Sequence, residues 1–248
     1  YLSYTKKVFE YADLFPLAYI DARFTNKKPR VPIKHLIIDE MQDYSPVCYA
    51  LINLIYDCDK TILGDISQSI SGIQCPLDSI VDCYPGAQVI ELNKSYRSTY
   101  EIMEFSKALR GGLDNIESMM RHGEAVSINK YEDIVDYIKN CLKDAKQKKY
   151  KSIGIVCKNT KRMNDLYEKL KGNTQVALIE NNPNAKAVIT TVQLAKGLEF
   201  DYVIVVDADD ETYKSDSDRN LLYVACTRAM HKLDVIYSNE LTTFIKQE

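Results

Sequence analysis

Short, unbroken apolar runs recur along the chain, and they constrain its fold more than any other feature. Several are apolar at successive positions, which is typical of parallel strands covered on both faces. Amphipathic stretches with helical spacing lie between them. Alternating strands and helices predict an α/β fold with a mostly parallel sheet. The predicted strands are residues 33–38, 61–63, 89–92, 153–157, 187–191, 202–206 and 232–237. The predicted helices are residues 2–24, 45–56, 98–109, 131–146, 161–171 and 220–229.

Turn-forming residues divide the chain into two blocks. Tyr84, Pro85 and Gly86 follow one another and predict a domain boundary, with domains at residues 1–86 and 87–248. We expect the first predicted helix to pack on the first of these domains.

Composition narrows the functional classes. A net charge of −3 gives no bulk basic character, although a local basic groove could still bind nucleic acid. Seven scattered cysteines without a CxxC pair argue against a disulfide framework or zinc site and favour a reducing cytosol. No apolar run approaches the roughly 18 residues that a membrane span needs. We therefore expect a cytoplasmic protein without a membrane partner.

Two adjacent carboxylates follow an apolar strand in residues 36–43 (LIIDEMQD). Open α/β sheets bind ligands at the carboxyl ends of their strands, where Asp39 could hold Mg²⁺ and Glu40 could deprotonate a water. Taken alone, the pair is more often a solvated strand-to-helix turn. A second segment, residues 63–70 (LGDISQSI), also follows an apolar strand and offers the Gln68 amide to a phosphate.

Together these two segments resemble motifs II and III of the UvrD-like superfamily 1A helicases. The resemblance implies that Asp39 binds magnesium and that Glu40 is the catalytic base. It also implies that Gln68 senses the γ-phosphate of ATP, and it assigns Ser69 to DNA.

Residues 92–98 (LNKSYRS) resemble motif IV of the same family, with Ser95 in place of the usual Asn. By resemblance, Tyr96 stacks on adenine and Arg97 reaches the γ-phosphate. A flat phenol ring and a guanidinium suit those tasks. On its own, a Tyr-Arg pair at a strand end would more often be a surface pair.

Residues 190–201 (TTVQLAKGLEFD) closely match motif V and carry the most specific signal. The match implies that Gly197 lets the backbone approach a phosphate and that Glu199 binds the ribose. It assigns Thr191 and Lys196 to the DNA backbone. The family usually has His where this chain has Gln193.

Residues 221–229 (LLYVACTRA) match motif VI, in which Arg228 would be a second arginine finger. Five motifs in family order imply RecA-like (P-loop NTPase) parallel sheets flanked by helices. They correspond to part of a first motor domain and a complete second one.

Two absences refine these expectations. No GxxxxGK[ST] phosphate-binding loop occurs, so we expect the isolated chain neither to hydrolyse ATP nor to unwind DNA. Only about 13 residues, 180–192, separate a strand expected to end near Ile179 from the motif V core, which leaves no room for the accessory domain of most relatives. That spacing resembles the helicase IV-like branch, which includes proteins associated with RNA polymerase.

Three functions follow from these observations. The first is an ATP- and Mg²⁺-dependent helicase or translocase, monomeric, moving 3′ to 5′ on single-stranded or partly duplex DNA. The second is an ATPase that remodels RNA polymerase with little unwinding. The third is a non-catalytic binding module, which the intact site residues argue against. Stimulation of ATP turnover by DNA discriminates the first from the second.

Overall fold

The computed structural model describes residues 9–26, 28–29, 31–70, 75–111, 117–118, 120–172 and 175–245. These residues form two compact units, divided between Ile90 and Glu91. The boundary predicted after Gly86 lies shortly before this division.

The first unit is built around a pair of parallel strands. Its elements are α1 (Tyr11–Thr25), β1 (His35–Ile38), α2 (Pro46–Ile55), β2 (Asp59–Ile62) and α3 (Leu77–Cys83), with single turns of 3-10 helix at Met41–Asp43 and Ile66–Gln68. Helix α1 packs against α2, as expected, and residues 1–8 of its predicted span lie outside the described residues. In the parallel pair, Ile38 lies opposite Ile62, so the two strands end side by side.

The second unit contains a six-stranded parallel sheet. Its elements are β3 (Lys94–Ser95), α4 (Tyr100–Leu109), β4 (Glu117–Ser118), β5 (Ser127–Lys130), α5 (Ile134–Gln147), β6 (Ile153–Cys157), α6 (Thr160–Leu170), β7 (Ala177–Leu178), β8 (Ala187–Thr191), α7 (Val192–Ala195), β9 (Phe200–Val205), α8 (Asp216–Cys226) and β10 (Ala229–Tyr237). The strands of the sheet follow the order β5-β10-β9-β6-β8-β7, and strands β3 and β4 form a separate parallel pair. The predicted α/β, RecA-like class with parallel sheets flanked by helices is confirmed.

Burial explains why the central strands have continuous apolar sequences. Every residue of β6 and β8 is buried. Ile138 from α5 and Leu166 from α6 pack in the same core cluster as Ile155 and Ile189 of these strands. Because residues that point to either side of these strands are all buried, both faces of the sheet are covered there, as the unbroken apolar runs predict.

The strand predicted at residues 89–92 is wrong. The structure has no strand there, and the paired residues of this region are Lys94 and Ser95. The side chains of Ile90 and Leu92 are 79% and 87% exposed, so the apolar run is not part of a core. Residues 89–92 were predicted to be a strand from their apolar composition alone, but no described residue pairs with them.

The helix predicted at residues 220–229 begins earlier in the structure, because a capping box fixes its start, and it also ends earlier. Ser215 accepts a hydrogen bond from the Asp218 backbone, and the Asp218 carboxylate accepts one from the Ser215 backbone. The helix ends at Cys226, and Ala229 already begins β10. A polar cap, rather than apolar spacing, therefore sets the start of this helix.

Two further expectations concern cysteines and membranes. All seven cysteines are free thiols. Within the described ranges, no helix combines the length and apolar character that crossing a bilayer requires.

We predict that Gly154→Ala destabilises the second unit. A Cβ on Gly154 of β6 would lie 2.6 Å from Cδ2 of Phe200, the buried residue that begins β9. Relieving that overlap should cost about 1–3 kcal/mol of unfolding free energy, measured by urea denaturation. Gly172→Ala is the matched control, because a Cβ there meets nothing within 4 Å. Equal unfolding midpoints for the two variants would contradict the packing argument.

Candidate functional site

The first unit gathers its predicted site residues at the carboxyl edge of its two strands. The Leu63 amide donates to the Ile38 carbonyl at 2.8 Å, and the Met41 amide donates to the Leu63 carbonyl at 2.9 Å. The segments that follow β1 and β2 therefore run side by side. Asp39 and Glu40 belong to the first segment and Gln68 to the second, which is the edge that parallel strands offer to ligands.

Glu40 has a backbone conformation that few non-glycine residues adopt. Its φ is 54°, in the left-handed region. Its amide donates to Asp39 Oδ1 at 2.8 Å, and its own carboxylate accepts from Gln42 Nε2 at 2.6 Å. Such backbone outliers are found at functional sites when surrounding contacts hold them in place.

The segment after β2 is organised by Asp65. Its carboxylate accepts hydrogen bonds from the Ser67 amide and from Gln68 Nε2, both at 2.9 Å. Ser69, which the resemblance assigned to DNA, is 7% exposed. The predicted phosphate sensor and the predicted DNA contact thus belong to one ordered turn.

In the second unit, strand register brings two predicted site residues together. Phe200 of β9 lies opposite Ala229 of β10, and the Phe200 amide donates to the Arg228 carbonyl at 2.9 Å. Glu199 and Arg228 immediately precede these paired residues. They are therefore neighbours at the amino edge of the sheet.

Arg97 is held at the same edge by the residue that follows it. The Ser98 hydroxyl donates to the Ala229 carbonyl at 2.6 Å, and the Arg97 guanidinium forms an ion pair with Glu199. The two side chains of this pair are 55% and 30% exposed, so its contribution to stability is at most about 1 kcal/mol. A strongly charged ligand could therefore compete for either partner.

Tyr96 and Gly197 are two more residues that the sequence assigns to the nucleotide. Tyr96 is 64% exposed, which leaves its ring available for stacking. Gly197 has a φ of 75°, a conformation that side chains disfavour.

Arg228 is buried and faces its own unit. It is 2% exposed, and its Nε donates to the Val224 carbonyl at 3.2 Å while Nη1 donates to the Leu198 carbonyl at 3.4 Å. Helix α8 ends two residues before Arg228, and the Asp218 carboxylate caps its start. Burial acts to raise the pKa of Asp218, but the Lys158 hydrogen bond and two backbone amides outweigh it and lower the pKa to about 2.

Thr191 lies apart from this group. Thr191 ends β8 at the carboxyl edge of the sheet, is 2% exposed, and accepts the Leu194 amide as the cap of α7. Lys196 is half-buried at the other end of that short helix. The structure therefore does not bring Thr191 together with Glu199, which precedes a strand at the opposite edge.

Several known proteins are similar to parts of this chain. A family model described as the UvrD-like helicase C-terminal domain matches residues 186–236. Among solved structures, the C-terminal domain of a possible DNA helicase from Lactobacillus plantarum is 32% identical, with a TM-score of 0.52. That match covers 61% of this chain and 92% of the other. The chain belongs to the UvrD-like helicase family.

Curated UvrD-like relatives extend the comparison. The ATP-dependent DNA helicase srs2 of Schizosaccharomyces pombe is 37% identical over 31% of this chain, and DNA helicase II of Salmonella typhimurium is 34% identical over 38%. A mimivirus protein from Acanthamoeba polyphaga mimivirus, named as a candidate ATP-dependent DNA helicase, is 27% identical over 81%. The matches span 9%, 12% and 34% of those proteins, so the chain covers a minor part of each relative.

The sequence did not predict two residues of this UvrD-like chain that contact candidate site residues. Gln42 is part of the quoted motif, but no local pattern reveals that its amide contacts Glu40. Arg121 was part of a segment between the predicted elements. Its Nη2 donates to the Arg97 carbonyl and, at 2.9 Å, to the Met230 carbonyl. It therefore fastens the Arg97 loop to the strand that follows Arg228.

Neighbours of Arg121 reinforce the same junction. The Tyr100 amide donates to the Arg121 carbonyl at 2.9 Å. The Glu101 carboxylate accepts from His122 Nδ1 and from the Gly123 amide, both at 2.8 Å. The hydrogen bond from His122, followed by backbone hydrogen bonds, holds the pKa of Glu101 below its usual value. Residues 121–123 thus fix the start of α4, directly after the Arg97 loop.

We predict that Arg121→Ala lowers the thermal midpoint of the chain by a few degrees. It removes two hydrogen bonds from a charged donor at an exposed position, worth about 1 kcal/mol together. Lys143→Ala, at an exposed position on α5, is the matched control and should leave the midpoint unchanged. Differential scanning fluorimetry gives the comparison. An Arg121→Ala midpoint equal to that of the control would contradict the fastening role.

Proposed function

We propose that this chain supplies the C-terminal motor region of an ATP-dependent DNA helicase that moves 3′ to 5′ on single-stranded DNA. The observation that carries the proposal is the convergence of Arg97, Glu199 and Arg228 at one edge of the second sheet, within a UvrD-like chain. The exposed Arg97 guanidinium beside the Glu199 carboxylate suits a ligand that combines phosphates with a ribose.

The residues of the first unit suit Mg²⁺ and a hydrolytic water. Asp39 is an exposed carboxylate at a strand tip, the kind of single ligand that Mg²⁺ accepts alongside phosphates and waters. Bound Mg²⁺ would supply neutralisation of phosphate charge. Glu40 would take the proton of the attacking water, and Gln68 would contact the terminal phosphate.

The residues of the second unit suit the remainder of the nucleotide. Tyr96 would stack on the base and Glu199 would bind the ribose hydroxyls. Arg97 would bind the terminal phosphate, in competition with its exposed ion pair to Glu199. Arg228 would do the same only after leaving its backbone partners, so holding the Leu198 turn in place is its other candidate task.

DNA is proposed as the partner because the relatives are named as DNA helicases. Of the residues assigned to DNA, Ser69 and Thr191 are 7% and 2% exposed, so their side chains have little surface to offer. Lys196 is more accessible and carries the charge that a phosphate backbone attracts.

We predict that ATP turnover by the complete protein containing this chain rises with single-stranded DNA and falls about 10²- to 10⁴-fold in Glu40→Gln. A coupled phosphate-release assay measures both. The isolated 248-residue chain, which has no GxxxxGK[ST] loop, is the negative control and should show no turnover. Full DNA-stimulated activity in Glu40→Gln would contradict the assignment of the base.

A second candidate is an ATPase that remodels RNA polymerase. The observation that favours it is the connection between β7 and β8, which is only residues 179–186 and leaves no room for an inserted accessory domain. Turnover that ignores DNA but rises with RNA polymerase would support this candidate over the first.

A further inference from the structure

One buried side chain joins the two segments at the carboxyl edge of the first unit. Gln42 is 1% exposed. Its Nε2 donates to Glu40 Oε2 at 2.6 Å, and its Oε1 accepts from the Asp65 amide at 3.1 Å. A single amide therefore connects the proposed catalytic base to the turn that contains Gln68.

The chemistry of the two partners fixes the orientation of this amide. An ionised carboxylate only accepts hydrogen bonds, whereas a backbone N–H only donates them. The Gln42 nitrogen must therefore face Glu40 and its oxygen must face Asp65, because the flipped amide would lose both bonds. A change in the Asp65 turn would consequently move the group that orients the Glu40 carboxylate.

Close packing makes this junction stiff. A Cβ on Gly64 would lie 2.5 Å from Gln42 Oε1 and 2.5 Å from the Met41 nitrogen. Only glycine allows the turn to approach so closely. The left-handed φ of 54° at Glu40 also needs surrounding contacts to hold it, and the Gln42 bond is one of them.

We infer that Gln42 is a positioning residue that sets the Glu40 carboxylate according to the state of the Asp65–Gln68 turn. The inference rests on the proposed function, since it takes Glu40 as the base and Gln68 as the phosphate sensor. A purely structural amide would stabilise the unit without linking turn and base.

Two substitutions separate the two bonds. Gln42→Ala removes both. Gln42→Glu keeps an oxygen for the Asp65 amide but places a carboxylate against Glu40. Gln88→Ala, at an exposed position of the same unit, is the matched control.

Hydrogen exchange of the 248-residue chain tests the geometry without relying on activity. In Gln42→Ala we expect faster amide exchange in a peptide covering residues 61–70, with no change in a peptide covering α2. Gln42→Glu, which keeps an acceptor for the Asp65 amide, should exchange more slowly there than Gln42→Ala does, and Gln88→Ala should exchange as the unchanged chain does. Equally faster exchange in α2 would show a general loss of stability and would overturn the inference.

Turnover by the complete protein tests the link to the base. Both Gln42 variants should lower kcat by about 10- to 100-fold, the worth of a hydrogen bond to a charged group, with KM for ATP within about twofold. If Glu40→Gln abolishes turnover while Gln42→Glu retains kcat within about twofold of the unchanged protein, the inference fails and the proposed function stands. If Glu40→Gln itself retains turnover, the proposed function fails.

Discussion

The pairing of β9 with β10 is the constraint on which the candidate site of the second unit depends. Because Phe200 lies opposite Ala229, the residues just before them share one edge of the sheet. Ser98 and Arg121 then fasten the Arg97 loop to the first residues of β10. A slip of the register by one residue would separate Glu199 from Arg228 and turn the following side chains to the other face.

In the first unit, the candidate site residues lie at the carboxyl end of the strands rather than at the amino end. There, hydrogen bonds between Ile38, Leu63 and Met41 keep the two functional segments parallel beyond the sheet. Gln42 adds a side-chain bond across the same gap, and Gly64 makes room for it. In each unit, backbone pairing sets the coarse position of the charged groups, and a few side chains set the fine position.

The contacts of Arg97 and Arg228 differ in strength, and this difference decides which of the two side chains can move when a ligand binds. The Arg97–Glu199 pair is exposed and weak, so a nucleotide could take both partners without unfolding anything. Arg228 is buried against backbone carbonyls, and releasing it would remove a donor from the Leu198 carbonyl, whereas the Val224 carbonyl would still accept from the Thr227 hydroxyl. The two arginines that the sequence treats alike are therefore in different physical situations.

Particular residues show how far the sequence predicts this structure. The buried strands β6 and β8 were predictable because apolar residues at successive positions need cover on both faces. The run at residues 89–92 misled, because apolar residues can also lie on an exposed connection. The motif strings located Asp39, Glu40 and Glu199 at strand ends. They could not reveal the Arg97–Glu199 pair, the burial of Arg228 or the Gln42 bridge, since each depends on contacts between segments distant in sequence.

The most direct test of this account is a structure of the complete protein with Mg²⁺ and a non-hydrolysable ATP analogue. The account predicts that the Arg97 guanidinium leaves Glu199 and contacts the terminal phosphate, while Glu199 contacts the ribose and the Gln42 bridge to Glu40 remains. An Arg97–Glu199 ion pair that persists beside a bound nucleotide would contradict it.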